Sequence, residues 1–255
     1  MFFEQLQEKV TEIIFKNSVF GLAPLAAMPI SNFCFPFYIQ VEPTTKCNLR
    51  CNTCRRTNNV NCDMSIELFK SIISKFNSSE LISRNLDLTG LGEPILHPKI
   101  ASMVHYAKTN GFHVSFTSNF TLINDKNAVK LIKAQLDDLY VSVDGATKKT
   151  FEEIRVGADF DKVVENLKLF KKIKQKMGVA KPRLILETTV SEANVHEIPK
   201  IVKLAESLGV YGILFCREVK AGKTDYKNDS FASINWKELT KSSVKIQVPS
   251  PERPP

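Results

Sequence analysis

A chain of 255 residues, 43% hydrophobic and 24% charged, with only 10 glycines and 12 prolines, has the composition of an ordinary folded domain, which excludes fibrous and disordered classes. A net charge of +8 favours anionic partners, but nucleic acid is not expected, because the run Lys171, Lys172, Lys174, Lys176 ends a helical pattern with no aromatic stacking platforms between the lysines. Glu4, Glu8 and Glu12 stand where a secretory signal would carry basic residues, so the six cysteines are expected as thiols in a reducing, cytoplasmic setting rather than as disulfides.

In chain order, residues 2–15 space Phe2, Phe3, Leu6, Val10, Ile13 and Ile14 at helical intervals and predict an amphipathic helix. Residues 17–41 carry no charge, but Pro24, Pro29 and Pro36 argue against a spanning helix. The segment 1–37 is read as an apolar collar on the fold, with membrane-surface or partner contact as the alternative. From Tyr38 the pattern becomes strand, loop, helix, repeated about six times. Strands are predicted at 38–42, 85–89, 112–117, 138–143, 184–190 and 211–215, with helices at 65–76, 98–110, 125–135, 148–154, 160–177 and 194–208. Asn110-Gly111 and Leu208-Gly209 supply helix stops before strands three and six.

Parallel strands with right-handed crossovers curl, so the expected fold class is α/β, a partial (β/α)6 TIM-like barrel over 38–217 whose function sits at the C-terminal strand ends. Residues 218–255 read as a polar, loosely ordered tail.

Chemistry concentrates just after the first strand, where Cys47, Cys51 and Cys54 give the spacing C-x3-C-x2-C. Three thiolates on one loop hold three irons of a cubane cluster and leave the fourth without a protein ligand. Lys46, Arg50, Arg55 and Arg56 are expected to lower the thiol pKa values. A structural zinc site completed by Cys62 is the rival, but it would ordinarily use two C-x2-C knuckles and only one is present. Cys34, Cys62 and Cys216 are too scattered for a second cluster and read as small apolar fillers.

The segment 47–54 resembles the cluster loop of the radical S-adenosylmethionine (SAM) superfamily. The likeness continues through Thr89-Gly90-Leu91-Gly92-Glu93-Pro94, Ser118-Asn119, Ser142-Val143-Asp144-Gly145, the stretch 150–167 with Arg155, and Glu187-Thr188-Thr189-Val190 with Asn194. It resembles the peptide- and cofactor-maturing branch in particular, although the cysteine-rich SPASM extension of that branch has no counterpart in the sequence as read to Pro255. Thr53 also stands where the family usually has an aromatic residue against the adenine, so the adenine would need another apolar contact.

The resemblance implies an enzyme with a [4Fe–4S] cluster and S-adenosyl-L-methionine as cofactors, abstracting hydrogen from an unidentified organic or peptide substrate, with a ferredoxin- or flavodoxin-like electron donor. It implies cofactor contacts at Gly92 and Glu93, where a glycine permits close backbone approach and a carboxylate accepts from an ammonium. Ser118, Asn119, Ser142 and Asp144 are candidates for the cofactor carboxylate and ribose, Arg155 for a charge-assisted bond to the carboxylate, and Glu187 for ribose or substrate. His97, before Pro98, reads as a loop or cap residue.

Overall fold

The computed structural model describes residues 38–54, 61–77, 84–218 and 230–248. Seven strands form one sheet in which spatial order equals chain order: β1 (Ile39–Gln40), β2 (Asn85–Asp87), β3 (His113–Ser118), β4 (Asp138–Ser142), β5 (Arg183–Val190), β6 (Gly212–Arg217) and β7 (Lys245–Gln247). Every neighbouring pair is parallel, which requires a crossover between each strand and the next. The crossovers carry α1 (Ile66–Asn77), α2 (Ile100–Thr109), α3 (Asp125–Lys133), α4 (Lys148–Ile154), α5 (Phe160–Lys176) and α6 (Ile198–Leu208), and a short α7 (Trp236–Leu239) precedes β7.

Local chemistry sets these boundaries. Asn124 closes a capping box with Asn127 at α3, and the side chains of Thr147 and Asp159 accept from the Thr150 and Lys162 amides to start α4 and α5. Gly209 ends α6 in the left-handed region at φ 58°.

The two faces of the sheet differ in chemistry. Val114, Phe116, Leu139, Val141, Leu184, Leu186, Ile213 and Phe215 are buried under apolar helix faces such as Met103, Leu131, Phe170 and Ile201. Strand alternation turns Ser115 and Thr117, Tyr140 and Ser142, Glu187 and Thr189, and Leu214 and Cys216 the other way. That second, mostly polar face is the concave interior of the partial barrel.

The predicted strands are present in order, and a seventh corrects the reading of the C-terminal segment. Of the supposed loose tail, residues 230–248 fold onto the barrel. Phe231 and Val244 are buried, the Trp236 ring packs 5.1 Å from Phe215 and 4.7 Å from Phe231 between centroids, and β7 pairs with β6. Val244, Ile246 and Val248 alternate with Lys245 and Gln247, a period-two strand signal hidden in a polar background. The predicted N-terminal helix and collar, with Cys34, lie outside the described residues. No helix among the described residues is long and apolar enough to cross a membrane.

Candidate active site

The cysteine loop leaves the sheet at the C-terminal end of β1 and is strapped at both ends. On its incoming side, Thr44 forms an antiparallel bridge with Asp63; its hydroxyl donates to Asp63 Oδ1 at 2.6 Å, the Thr45 amide donates to the Cys62 carbonyl at 3.0 Å, and Lys46 pairs with Asp63 at 2.7 Å. On the far side, the Arg50 and Asn52 amides donate to the carbonyls of Val156 and Ile154 at 3.0 and 2.9 Å, so the loop hangs from the residues that end α4. Leu49 is buried beneath it, and the Leu49 amide reaches Cys47 Sγ at 3.5 Å. Cys47, Cys51, Cys54, Cys62 and Cys216 are free thiols.

Gly92 seats this loop. A Cβ on Gly92 would lie 1.9 Å from the Thr44 carbonyl oxygen and 2.9 Å from that of Lys46, so only glycine lets the β2 loop meet the cysteine loop. The next amide, that of Glu93, donates to Lys46 O at 2.7 Å. Glu42, one residue past the end of β1's apolar pattern, accepts from the Leu91 and Gly92 amides at 2.6 and 3.2 Å. The close approach predicted for Gly92 is therefore made to the protein's own backbone.

Glu93 is only 2% exposed. Its carboxylate accepts from Ser118 Oγ at 2.8 Å, from the Asn119 amide at 2.7 Å and from the Ile95 amide at 3.1 Å, while burial pushes its pKa above the usual carboxylate range despite those bonds. Ser118 and Asn119 are thus engaged in joining β3 to the β2 loop. Asn119 also donates to Asn48 Oδ1 at 2.9 Å, and Asn48 donates to Thr121 at 2.9 Å, tying the cysteine loop to the end of β3. His97 is a buried cap, linking Met64 O and the Lys99 amide.

Arg155 is the electrostatic centre. Its Nε donates to Asp144 Oδ2 at 2.7 Å, and Asp144, fully buried, accepts on Oδ1 from the Thr189 amide at 2.7 Å. Burial works against the guanidinium charge, but Asp144, a Cys51 thiolate and Glu187 outweigh it and raise its pKa. The same cation opposes the burial that lifts Glu93 and Glu187. Arg155 therefore gathers four predicted positions, Cys51, Glu93, Asp144 and Glu187, around one charge. Ser142 stands buried beside Glu187 in the β4–β5 register.

One electrostatic expectation is reversed. The Cys51 thiol lies above the ordinary thiol range: burial is the largest effect, Arg155 pulls against it, and the neighbouring Cys47 and Cys54 add to the rise. Lys46 and Arg50 are open to water, which screens them, while Cys51 is partly enclosed; Arg55 and Arg56 lie outside the described residues.

Three thiols on one loop are a donor set of the kind a cubane takes, one for each of three irons. Among the described residues no three His, Cys, Asp or Glu side chains converge as a site for a single metal ion. A cubane spreads its thiolates over three irons and needs no such convergence. Cys62 is exposed rather than a core filler. Cys216 faces the interior with Sγ 3.7 Å from Glu187 Oε1, and burial beside that carboxylate pushes its thiol up to about 12. Thr117 hydrogen-bonds the same carboxylate. Strand parity, which places Thr117, Glu187 and Cys216 on one face, was the signal available for both.

Comparison with known proteins bears on the family and the fold. The family model described as "Radical SAM superfamily" matches residues 41–205. A tungsten-containing aldehyde ferredoxin oxidoreductase cofactor-modifying protein from Pyrococcus furiosus is 29% identical over 186 residues, covering 69% of this chain and 50% of the relative. An AdoMet-dependent heme synthase from Methanosarcina barkeri is 28% identical over 224 residues, 84% of this chain and 61% of the relative. The chain thus spans between half and two thirds of the length of these relatives. The fold matches Streptococcus suis SuiB with TM-score 0.68 at 15% identity, covering 85% of this chain and 50% of that one. It also matches anSMEcpe with bound AdoMet with TM-score 0.64 at 20% identity, covering 83% and 64%.

Proposed function

Because the chain belongs to the radical SAM superfamily, we propose that Cys47, Cys51 and Cys54 hold a [4Fe–4S] cluster and that the protein uses S-adenosyl-L-methionine to abstract hydrogen from an organic substrate. When bound, the cluster and SAM supply an electron and a 5′-deoxyadenosyl radical.

What the chain contributes is position and charge. The loop is tied by the Thr44–Asp63 bridge and by the Thr45, Arg50 and Asn52 amides, which limits the positions its thiols can take. Arg155 partly offsets the negative charge of thiolate ligands. The observation that carries the reading is this joint: the cysteine loop, the Gly92 seat and the Asp144–Arg155 pair meet at the C-terminal rim, where barrel sites form. Ser142 and Glu187, at the mouth of the concave face, are offered to ribose or substrate. Exposed Leu91 and Val156 on flanking loops offer the apolar contact for adenine that Thr53 does not.

The relatives named for cofactor modification and heme synthesis support a cofactor- or peptide-maturing role. The basic chain suits an acidic ferredoxin- or flavodoxin-like donor. Anaerobic reconstitution tests the core of the reading: about four irons per chain and 5′-deoxyadenosine released from SAM under dithionite are expected. Cys51→Ala is expected to lose both. A colourless protein binding one zinc, or full cleavage by Cys51→Ala, overturns it.

A further inference from the structure

Below the rim, the concave face continues to the N-terminal ends of β4–β7 and opens into a cavity of about 440 Å³ lined by Tyr140, Arg183, Ile185, Tyr211, Gly212 and Lys245, with Gln247. Its lining includes two cations and no carboxylate. Both cations converge on one phenol: Lys245 Nζ donates to Tyr211 Oη at 2.8 Å and Arg183 Nη1 at 3.3 Å, and they lie 4.7 and 4.8 Å from the centre of its ring. Those bonds hold the Tyr211 phenol below its usual range.

Arg183 is fixed from behind by Asp138, which takes its Nε and Nη2. Asp138 thus balances Arg183, and Lys245 is the cation of the lining that no carboxylate among the described residues balances. Gly212 lets β7 approach β6 and so brings Lys245 to the cavity, since a Cβ there would lie 2.7 Å from the Lys245 carbonyl oxygen. A concave site with two aromatic walls and an excess of cations is built for an organic anion.

We propose that this cavity is a substrate subsite for a phosphate or carboxylate group. The proposal rests on the radical SAM reading for its chemistry, and strand geometry then sets the substrate's length. Arg183 and Glu187 lie on the same face of β5, four residues apart, which is about 13 Å at strand rise. A molecule held by its anion at the floor reaches the Glu187 level, below the cysteine loop, only if its reactive carbon is about that far from the charge. The substrate class is therefore an elongated organic anion rather than a compact metabolite.

The test is a titration of the full chain, labelled with 13C-tyrosine, at pH 7.5, with inorganic pyrophosphate or with glutarate. Sodium chloride at matched ionic strength is the control, and the Tyr211 ring signals are assigned with Tyr211→Phe. A saturable shift of those signals is expected, and the anion that produces it identifies the phosphate or carboxylate class. Lys245→Gln is expected to weaken binding at least tenfold, Lys245→Arg to retain it, and Lys237→Gln, on α7, to leave it unchanged. Neither anion exceeding the salt control, or Lys245→Gln binding like the parent, overturns the subsite. The readout uses neither cluster nor SAM. Anion binding without SAM cleavage would therefore count against the proposed reaction alone, and cleavage without anion binding against the subsite alone.

Discussion

Replacing Gly92 by alanine adds one methyl group at the most tightly shared point of the candidate site. The new Cβ meets backbone on both sides, at 1.9 Å from Thr44 O, 2.7 Å from Thr44 C and 2.9 Å from Lys46 O. No side-chain rotation relieves this. Thr44 is held by its bridge to Asp63, and the Glu93 amide must stay on Lys46 O, so one loop has to move. Overpacking of this kind costs about 1–3 kcal/mol, and loss of the Glu93 amide bond adds about 1 kcal/mol. Gly92→Ala should therefore lose about 3 kcal/mol, read as a lower urea midpoint at unchanged slope. Iron content after reconstitution should fall with it. Gly90→Ala acts through a side chain instead, because its Cβ meets Glu42, and moving Glu42 gives up its bonds to the Leu91 and Gly92 amides at about 1 kcal/mol each. If Gly92→Ala matched the parent in midpoint and iron content, the glycine seat would have no role.

Arg155→Ala strips the partner from fully buried Asp144 and removes the cation facing Cys51 and Glu187. A loss of about 3–5 kcal/mol is expected in urea unfolding, together with loss of SAM cleavage, and Asp144→Asn should cost less because the amide still accepts from Thr189. At the floor, burial would raise Asp138, but bonds from His113 and Arg183 win and hold it at about 2. Because its folded pKa lies below the unfolded 3.8, this stabilisation is present above about pH 4 and is lost as pH falls toward 2, a change of about 2 kcal/mol. In Asp138→Asn that acid-side slope should shrink; an unchanged slope in urea midpoints would refute the assignment. Burial gives Glu187 the opposite sign, so its contribution is present at low pH and lost as pH rises. Glu187→Gln should gain stability relative to the parent between pH 4 and 8.

Legibility in the sequence followed physical range. Strands β2–β6 and their helices were readable because each carries its own periodicity and cap, as with Asn124 before α3 and Gly209 after α6. β7 was hidden because its three apolar positions gain meaning only when β6 supplies a partner and Phe231 and Trp236 a floor. At the site, the cysteine spacing named the loop, but the tasks of Gly92 and Glu93 were not local properties. Both act on partners across the chain, Gly92 against Thr44 and Glu93 against Ser118 and Asn119. The sign of the Cys51 shift was missed for the same reason: charges are visible in a sequence, and enclosure is not.

The residues that shape this site also hold it together, which sets how mutations there should be read. Glu93 joins β2 to β3, Asn119 joins β3 to the cysteine loop, and Arg155 joins α4 to β4. Substituting any of them perturbs the scaffold before it perturbs a cofactor, so lost SAM cleavage assigns a direct contact only when unfolding stability is kept. Ser142, Glu187 and Cys216 stand differently, on the inner face of strands whose opposite faces carry the core. Their replacement leaves that packing in place. A selective effect on substrate turnover, with iron content retained and no fall in urea midpoint, is therefore expected there rather than at the joints above.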